Sequence, residues 1–155
     1  MIRQGGGQKE QCMAYADERT GLEIITLSEC VRHLQGAEIA RVAYVVDGAV
    51  QMYPVNYAWD GEAMIFRCEP ESHMARAAGR EFVAEIDGID SRNHQGWSVI
   101  ARGRADIVDP DKTPQLAQRL TTLALYPWAN GTRDVWLRMI PAPLTGRRVT
   151  RAPRE

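Results

Sequence analysis

Lysine is nearly missing from this chain of 155 residues: Lys9 and Lys112 stand alone, and the rest of its 19 basic residues are arginine. Against 20 acidic residues they leave a net charge of −1, which excludes a broad electrostatic footprint for nucleic acid. Arginine is the better planar donor to phosphate or carboxylate, although genomic composition produces the same bias. Cysteine is scarce too. Cys12, Cys30 and Cys68 are odd in number and widely spaced, with no CxxC pair, so neither a disulfide framework nor a zinc site is indicated. Reduced thiols fit a cytoplasmic protein. His33, His73 and His94 show no ligand spacing. No apolar run approaches membrane-spanning length, and the first residues, "MIRQGGGQKEQ", lack the apolar core of a signal peptide. Missing as well are GxSxG, HExxH and GxxxxGK[ST], and no two carboxylates stand out as an acid/base couple. An enzyme built this way would take its chemistry from a cofactor.

What is present reads as one globular domain, residues 22–155, behind a flexible arm, residues 1–21. Thr26 with Glu29 forms a capping box before Leu27, Cys30, Val31 and Leu34, so a short helix spans about 27–35 and ends at Gly36. Three strands follow, "ARVAYVV", "AVQMYPVNYAW" and "EAMIFRC", separated by the hairpin signals Asp47-Gly48 and Asp60-Gly61. Pro54 inside the second strand predicts an edge, a bulge or a departure from the sheet. "ESHMARAAG" is a short helix capped by Ser72, and "EFVAEIDG" a fourth strand before a polar loop over residues 88–96. Thr113 and Pro114 open a further helix, "DVWLRMIPA" is a sixth strand, and "LTGRRVT" a candidate seventh.

The fifth strand, "GWSVIARGRADIVD", is the most informative. Its odd positions, Trp97, Val99, Ala101, Gly103, Ala105 and Ile107, are small or apolar, a period of two that predicts one buried face. That face begins at a tryptophan beside Ser98 and thins to alanine and glycine in its middle. Hairpin-linked strands in this number close into a barrel or form an open antiparallel sheet with helices on one face.

Three clusters are candidates for chemistry. "YPVNY" can present backbone groups and the Asn56 amide to the polar edge of a heterocycle, or it is a kinked strand. "FRCEPESHMAR" places Arg67 before a helix start at Ser72, the layout of a phosphate site or of an ordinary strand-to-helix turn. Trp97-Ser98 can border a ring and bond its heteroatoms, or can pack a barrel rim.

Taken together, these stretches and "PWANGTRDVWLRMIPAPLTGRRV" resemble the pyridoxamine-phosphate-oxidase-like family of flavin-binding split barrels, over roughly Leu27 to Val149. The Gly-Trp-Ser-Val run before Arg-Gly-Arg-Ala is the most distinctive, and resembles the smaller branch related to nitroimidazole-resistance proteins. The resemblance implies a mainly β fold with short helices, a six-stranded antiparallel split β-barrel that forms a homodimer, with FMN in the groove between protomers. It implies that Pro54, Val55, Asn56 and Tyr57 line the flavin ring and that Arg67 and Cys68 lie along the ribityl-phosphate. Ser72 and His73 would meet the phosphate, and Trp97 and Ser98 would approach from the partner chain. The apolar face of the sixth strand, Val135, Leu137 and Met139, is a candidate for burial at that interface. The segment "RCEPESHMA" departs from the family pattern at Cys68, Glu71 and His73, and Glu69 and Glu71 bring negative charge to the expected phosphate. A deazaflavin is therefore the alternative cofactor. The implied activity is FMN-dependent oxidoreduction of a small-molecule acceptor. A non-catalytic barrel that binds or stores a flavin, deazaflavin or other small ligand is the alternative.

Overall fold

The computed structural model describes residues 16–17 and 20–150, which form nine strands and three short helices. In chain order these are β1 (Ala16–Asp17), β2 (Leu22–Ile24), α1 (Leu27–Gly36), β3 (Ile39–Val46), β4 (Ala49–Trp59) and β5 (Met64–Cys68). There follow α2 (His73–Arg76), β6 (Arg80–Asp90), β7 (Gln95–Ile107), α3 (Pro114–Leu120), β8 (Val135–Met139) and β9 (Leu144–Val149). Six strands close an antiparallel barrel in the order β3, β4, β5, β8, β7, β6 and back to β3.

The split lies in β7. One of its edges, from Gln95 to Ala105, pairs with the whole length of β6. The other edge is shared: Gly96–Ala101 pairs with β9, and Ala105–Ile107 pairs with β8. The expected seventh strand is thus real but stands outside the barrel as β9, and carries β2 and then β1. The arm expected over residues 1–21, with Cys12, lies mostly outside the described residues.

The period of two does what it predicts in the middle of β7. Val99, Ala101 and Ala105 are buried, while Ile107, at the strand's end, is 52% exposed. The strand thins at Gly103 because the chain leaving β8 crosses close there: a side chain would collide with the Ile140 carbonyl. β5 reads as a continuous apolar run because both its faces are covered. Met64 and Phe66 join the barrel core, while Ile65 packs with Ala63, Leu120 and Leu125 beneath α3. Leu137 and Met139 of β8 are fully buried in the same core (0% exposed), so the surface expected to meet a second chain there is already used within the chain itself. Only Val135 of that trio keeps exposed area.

Local expectations meet mixed outcomes. The capping box at Thr26 and Glu29 is formed, and Asp47-Gly48 is a two-residue turn with both φ angles positive, 52° and 74°. Gly36 is the last residue of α1, as expected, and the cap that follows it is Ala37 in extended backbone. Asp60-Gly61 belongs to a longer turn in which the Asp60 carboxylate accepts the N–H groups of Glu62 and Ala63. The polar loop is shorter than expected, because β6 and β7 pair as far as Asp90 and Gln95. Thr113 precedes α3 without a side-chain cap; its hydroxyl donates instead to the Asp109 carbonyl.

Candidate functional site

β4 and β5 are hydrogen-bonded only from Tyr57 to Trp59 against Met64 to Phe66. Before Tyr57 and after Phe66 the strands part, and a cavity of ≈ 310 Å³ opens between them. Pro54 stands on this unpaired edge, where a missing N–H costs no ladder bond, while the other edge of β4 stays paired with β3. Pro54, Val55 and Asn56 line one side of the cavity, Arg67 and Cys68 the other, with Ser72 at the turn that follows.

The loop between α3 and β8 completes the wall with Pro127, Ala129 and Arg133. Two hydrogen bonds hold it there. The Trp128 N–H donates to Asn56 Oδ1 at 3.0 Å, and Arg67 Nε donates to the Arg133 carbonyl at 3.0 Å. Arg67 is further fixed by its guanidinium, 4.6 Å over the Trp136 ring. Arg133 Nε donates to the Ala129 carbonyl at 3.4 Å. Neither guanidinium has a carboxylate partner among the described residues, and no acidic side chain lines the cavity. Two uncompensated guanidinium groups on one concave wall form a receiver for an anion with planar, bidentate acceptors.

The neighbouring groups are committed elsewhere. The Ser72 hydroxyl accepts the Ala75 N–H at 3.2 Å and donates to the Glu69 carbonyl at 2.8 Å, so it caps α2. That helix has four residues, too few for a sizeable dipole, and the arginines supply most of the positive charge. Burial pushes the Cys68 thiol up, with the Ser72 hydroxyl and Arg133 opposing and Glu69 reinforcing, so the thiol stays protonated and unreactive near neutrality. His73 is exposed and off the cavity wall. Neither Glu69 nor Glu71 lines the cavity; the Glu69 carboxylate lies against Gly131 of the loop.

Tyr57 points into the barrel, 3% exposed, and its hydroxyl donates to the Leu34 carbonyl at 2.6 Å. Its titration is pushed far upward by burial. Trp97 lines a second cleft of ≈ 370 Å³ with Gly88, Ile89 and Arg148. One indole face is covered by His33, ring centroids 3.6 Å apart and planes at 21°. Gly88, its cross-strand partner, leaves the indole its room: a Cβ there would lie 2.5 Å from Nε1. Desolvation first, and then the charge of Arg32, hold the His33 imidazole below its ordinary titration range. Ser98, beside Trp97, is half-buried between Asp87 and Arg147.

Of the residues singled out in the sequence, Pro54, Val55, Asn56, Arg67, Cys68 and Ser72 come together in one cavity. The side chains of Tyr57, His73, Trp97 and Ser98 lie elsewhere in the chain. Arg133, Pro127 and Ala129 were missed. Their one local signal is an irregular Pro- and Gly-containing segment just before a strand, which does not say which wall it will meet.

A closed six-stranded antiparallel barrel with a split strand is the architecture of the flavin-binding split barrels. Residues 26–148 match the model of the pyridoxamine 5'-phosphate oxidase family, and the chain belongs to that family. An uncharacterised protein of Mycobacterium tuberculosis is 28% identical over 143 residues, covering 86% of this chain and 91% of that protein. The structure of an FAD-binding protein of Mycobacterium smegmatis is 29% identical with a TM-score of 0.70, covering 83% of this chain and 98% of that one. An FAD-binding protein of Mesorhizobium loti shares the fold at 17% identity and a TM-score of 0.64, over 83% of this chain and 99% of that one. Among the described residues no helix is long and apolar enough to cross a membrane, and no cluster of potential metal ligands occurs.

Proposed function

We propose that the protein is a flavin-dependent oxidoreductase acting as a homodimer on a small-molecule acceptor, with the flavin's phosphate received by Arg67 and Arg133. The observation that carries this reading is the pair of uncompensated guanidinium groups in one acid-free cavity beside the unpaired edge of β4. The donor set fits the group. Planar forks suit phosphate oxygens, and the open edge of β4 with the Asn56 amide suits the polar edge of a heterocycle. FMN is the form the family resemblance implies, the similar M. smegmatis protein binds FAD, and a deazaflavin would present the same kind of anion.

A bound flavin supplies the hydride and electron chemistry, and the protein supplies position, charge and exclusion of water. Arg67 is pre-set by Trp136 and the Arg133 carbonyl, so little order has to be created when an anion arrives. Trp97 and Ser98, absent from their own protomer's cavity, are the groups that would border the cavity of the second chain. A second reading, binding without turnover, is favoured by one feature: Cys68 is held protonated, Tyr44 is pushed upward by burial, and neither is poised for proton transfer near neutrality.

The test is the identity of what co-purifies and what it does. A flavin spectrum, a released mass matching FMN or FAD, and oxidation of a nicotinamide donor are expected for the first reading; bound flavin without turnover is expected for the second. A protein that takes up none of FMN, FAD and a deazaflavin overturns both. Arg133→Ala should lower flavin affinity by about tenfold, the scale of one charge-assisted hydrogen bond.

A further inference from the structure

We infer that Asn56 is a positioning residue for Arg133: through the loop it holds, it acts on the phosphate end of the ligand and not only on the ring. The inference rests on the flavin reading above and gives Asn56 a second task within it. Between Tyr126 and Arg133 the loop has no backbone–backbone hydrogen bond among the described residues. Three bonds that involve side chains hold it instead, and they form a relay. The Trp128 N–H donates to Asn56 Oδ1 at 3.0 Å. The next residue, Ala129, offers its carbonyl to Arg133 Nε at 3.4 Å. The carbonyl of Arg133 in turn accepts Arg67 Nε at 3.0 Å. Asn56 thus anchors the stretch whose carbonyl orients the Arg133 guanidinium, and both Asn56 and Arg133 line the cavity.

The amide chemistry divides the work. A backbone N–H needs an oxygen, so the Asn56 carbonyl is spent on the loop and only its NH2 group remains for a ligand. Arg133 spends Nε on Ala129 and keeps its two terminal nitrogens for an anion. An arginine on an irregular loop has many conformations to lose when it binds, and a loop already tied at Trp128 and Arg133 lowers that cost. Removing the Asn56 oxygen therefore weakens a contact made by another residue. A bond from the remaining NH2 to the ring would be lost equally for FMN and riboflavin, and cancels in the ratio of their affinities.

The test is titration of the full-length protein, freed of bound cofactor, with FMN and with riboflavin, which lacks the phosphate. Asn56→Ala should lower the preference for FMN over riboflavin by about tenfold, the scale of one charge-assisted hydrogen bond. Trp128→Pro, which removes the N–H and leaves Asn56 intact, should do the same; Trp128→Ala, which keeps the N–H, should not. In an Arg133→Ala background, where the preference is already reduced, Asn56→Ala should lower it no further. Equal losses of FMN and riboflavin in Asn56→Ala overturn the inference and leave Asn56 as a ring contact alone. A further loss of preference in the Arg133→Ala background overturns it too, as does a wild type with no preference for FMN or a Trp128→Pro variant that keeps the preference. A wild type that takes up no flavin strikes the flavin reading itself. The positioning is then decided by inorganic phosphate, which should raise the melting temperature of the wild type and not that of Asn56→Ala or Arg133→Ala; a rise that survives in Asn56→Ala, or no rise in the wild type, overturns it.

Discussion

Trp97 of β7 and His33 of α1 stack face to face, with ring centroids 3.6 Å apart, and so tie the first helix to the rim of the barrel. The contact accounts for the tryptophan at the head of the strand without any ligand. Trp97→Ala should cost about 2 kcal/mol, below the range for a fully buried aromatic because the ring is only partly buried. His33→Ala should cost about 1 kcal/mol, and a double-mutant cycle by urea denaturation should return a coupling of about 1 kcal/mol. A coupling indistinguishable from zero would mean that the two rings merely adjoin.

The same pair makes stability depend on pH. His33 titrates below its ordinary range in the folded protein, through desolvation first and the charge of Arg32 second. The unfolded chain, with an ordinary histidine pKa of about 6.5, therefore binds the proton more readily. Stability should be unaffected by this group above that pH, and should fall as pH drops through it toward the lower folded value. The measurement is the melting temperature from pH 8 to pH 5 for the wild type and His33→Gln. A wild-type curve no steeper than the variant's between pH 6.5 and pH 5 would contradict the assignment.

Gly88 is the complement of Trp97. A methyl group there would sit 2.5 Å from the indole nitrogen, so Gly88→Ala should destabilise by about 2 kcal/mol through overpacking. In a Trp97→Ala background most of that cost should vanish. An equal cost in both backgrounds would place the strain in the backbone of β6.

Tyr57 separates a structural hydroxyl from a ligand contact. Tyr57→Phe removes the donor to the Leu34 carbonyl and should cost about 1 kcal/mol of stability. Flavin affinity should not change, because the hydroxyl faces the core. Tenfold weaker flavin binding at unchanged stability would return Tyr57 to the site.

The homodimer is tested by light scattering at micromolar concentration. With Leu137 and Met139 sealed inside the barrel, the apolar surface available to a second chain includes Val45, Val50, Met52 and Tyr53 of the β3–β4 hairpin. Val50→Glu should weaken association without lowering the melting temperature of the monomer, since Val50 is 73% exposed. A wild type that runs as a monomer under those conditions removes the shared-site model and the role proposed for Trp97 and Ser98.

Much of the architecture was legible in the residues themselves, because strand periodicity, tight-turn pairs and caps are local signals. The barrel strands follow from the period of two and from Asp47-Gly48, and the capping box at Thr26 and Glu29 places the start of α1. The family resemblance extended this to the barrel and to two sides of the cavity, Pro54 to Asn56 on one and Arg67 and Cys68 on the other. The remainder was decided by contacts between distant parts of the chain. Side-chain direction put Tyr57 in the core one residue after Asn56, since alternate residues of a strand face opposite sides. Long-range pairing carried Arg133 to Arg67, turned Glu69 toward Gly131, and set Trp97 on His33. No periodicity encodes such meetings, because they depend on where an irregular loop lands once the barrel has closed, and that is set by the packing of the whole molecule.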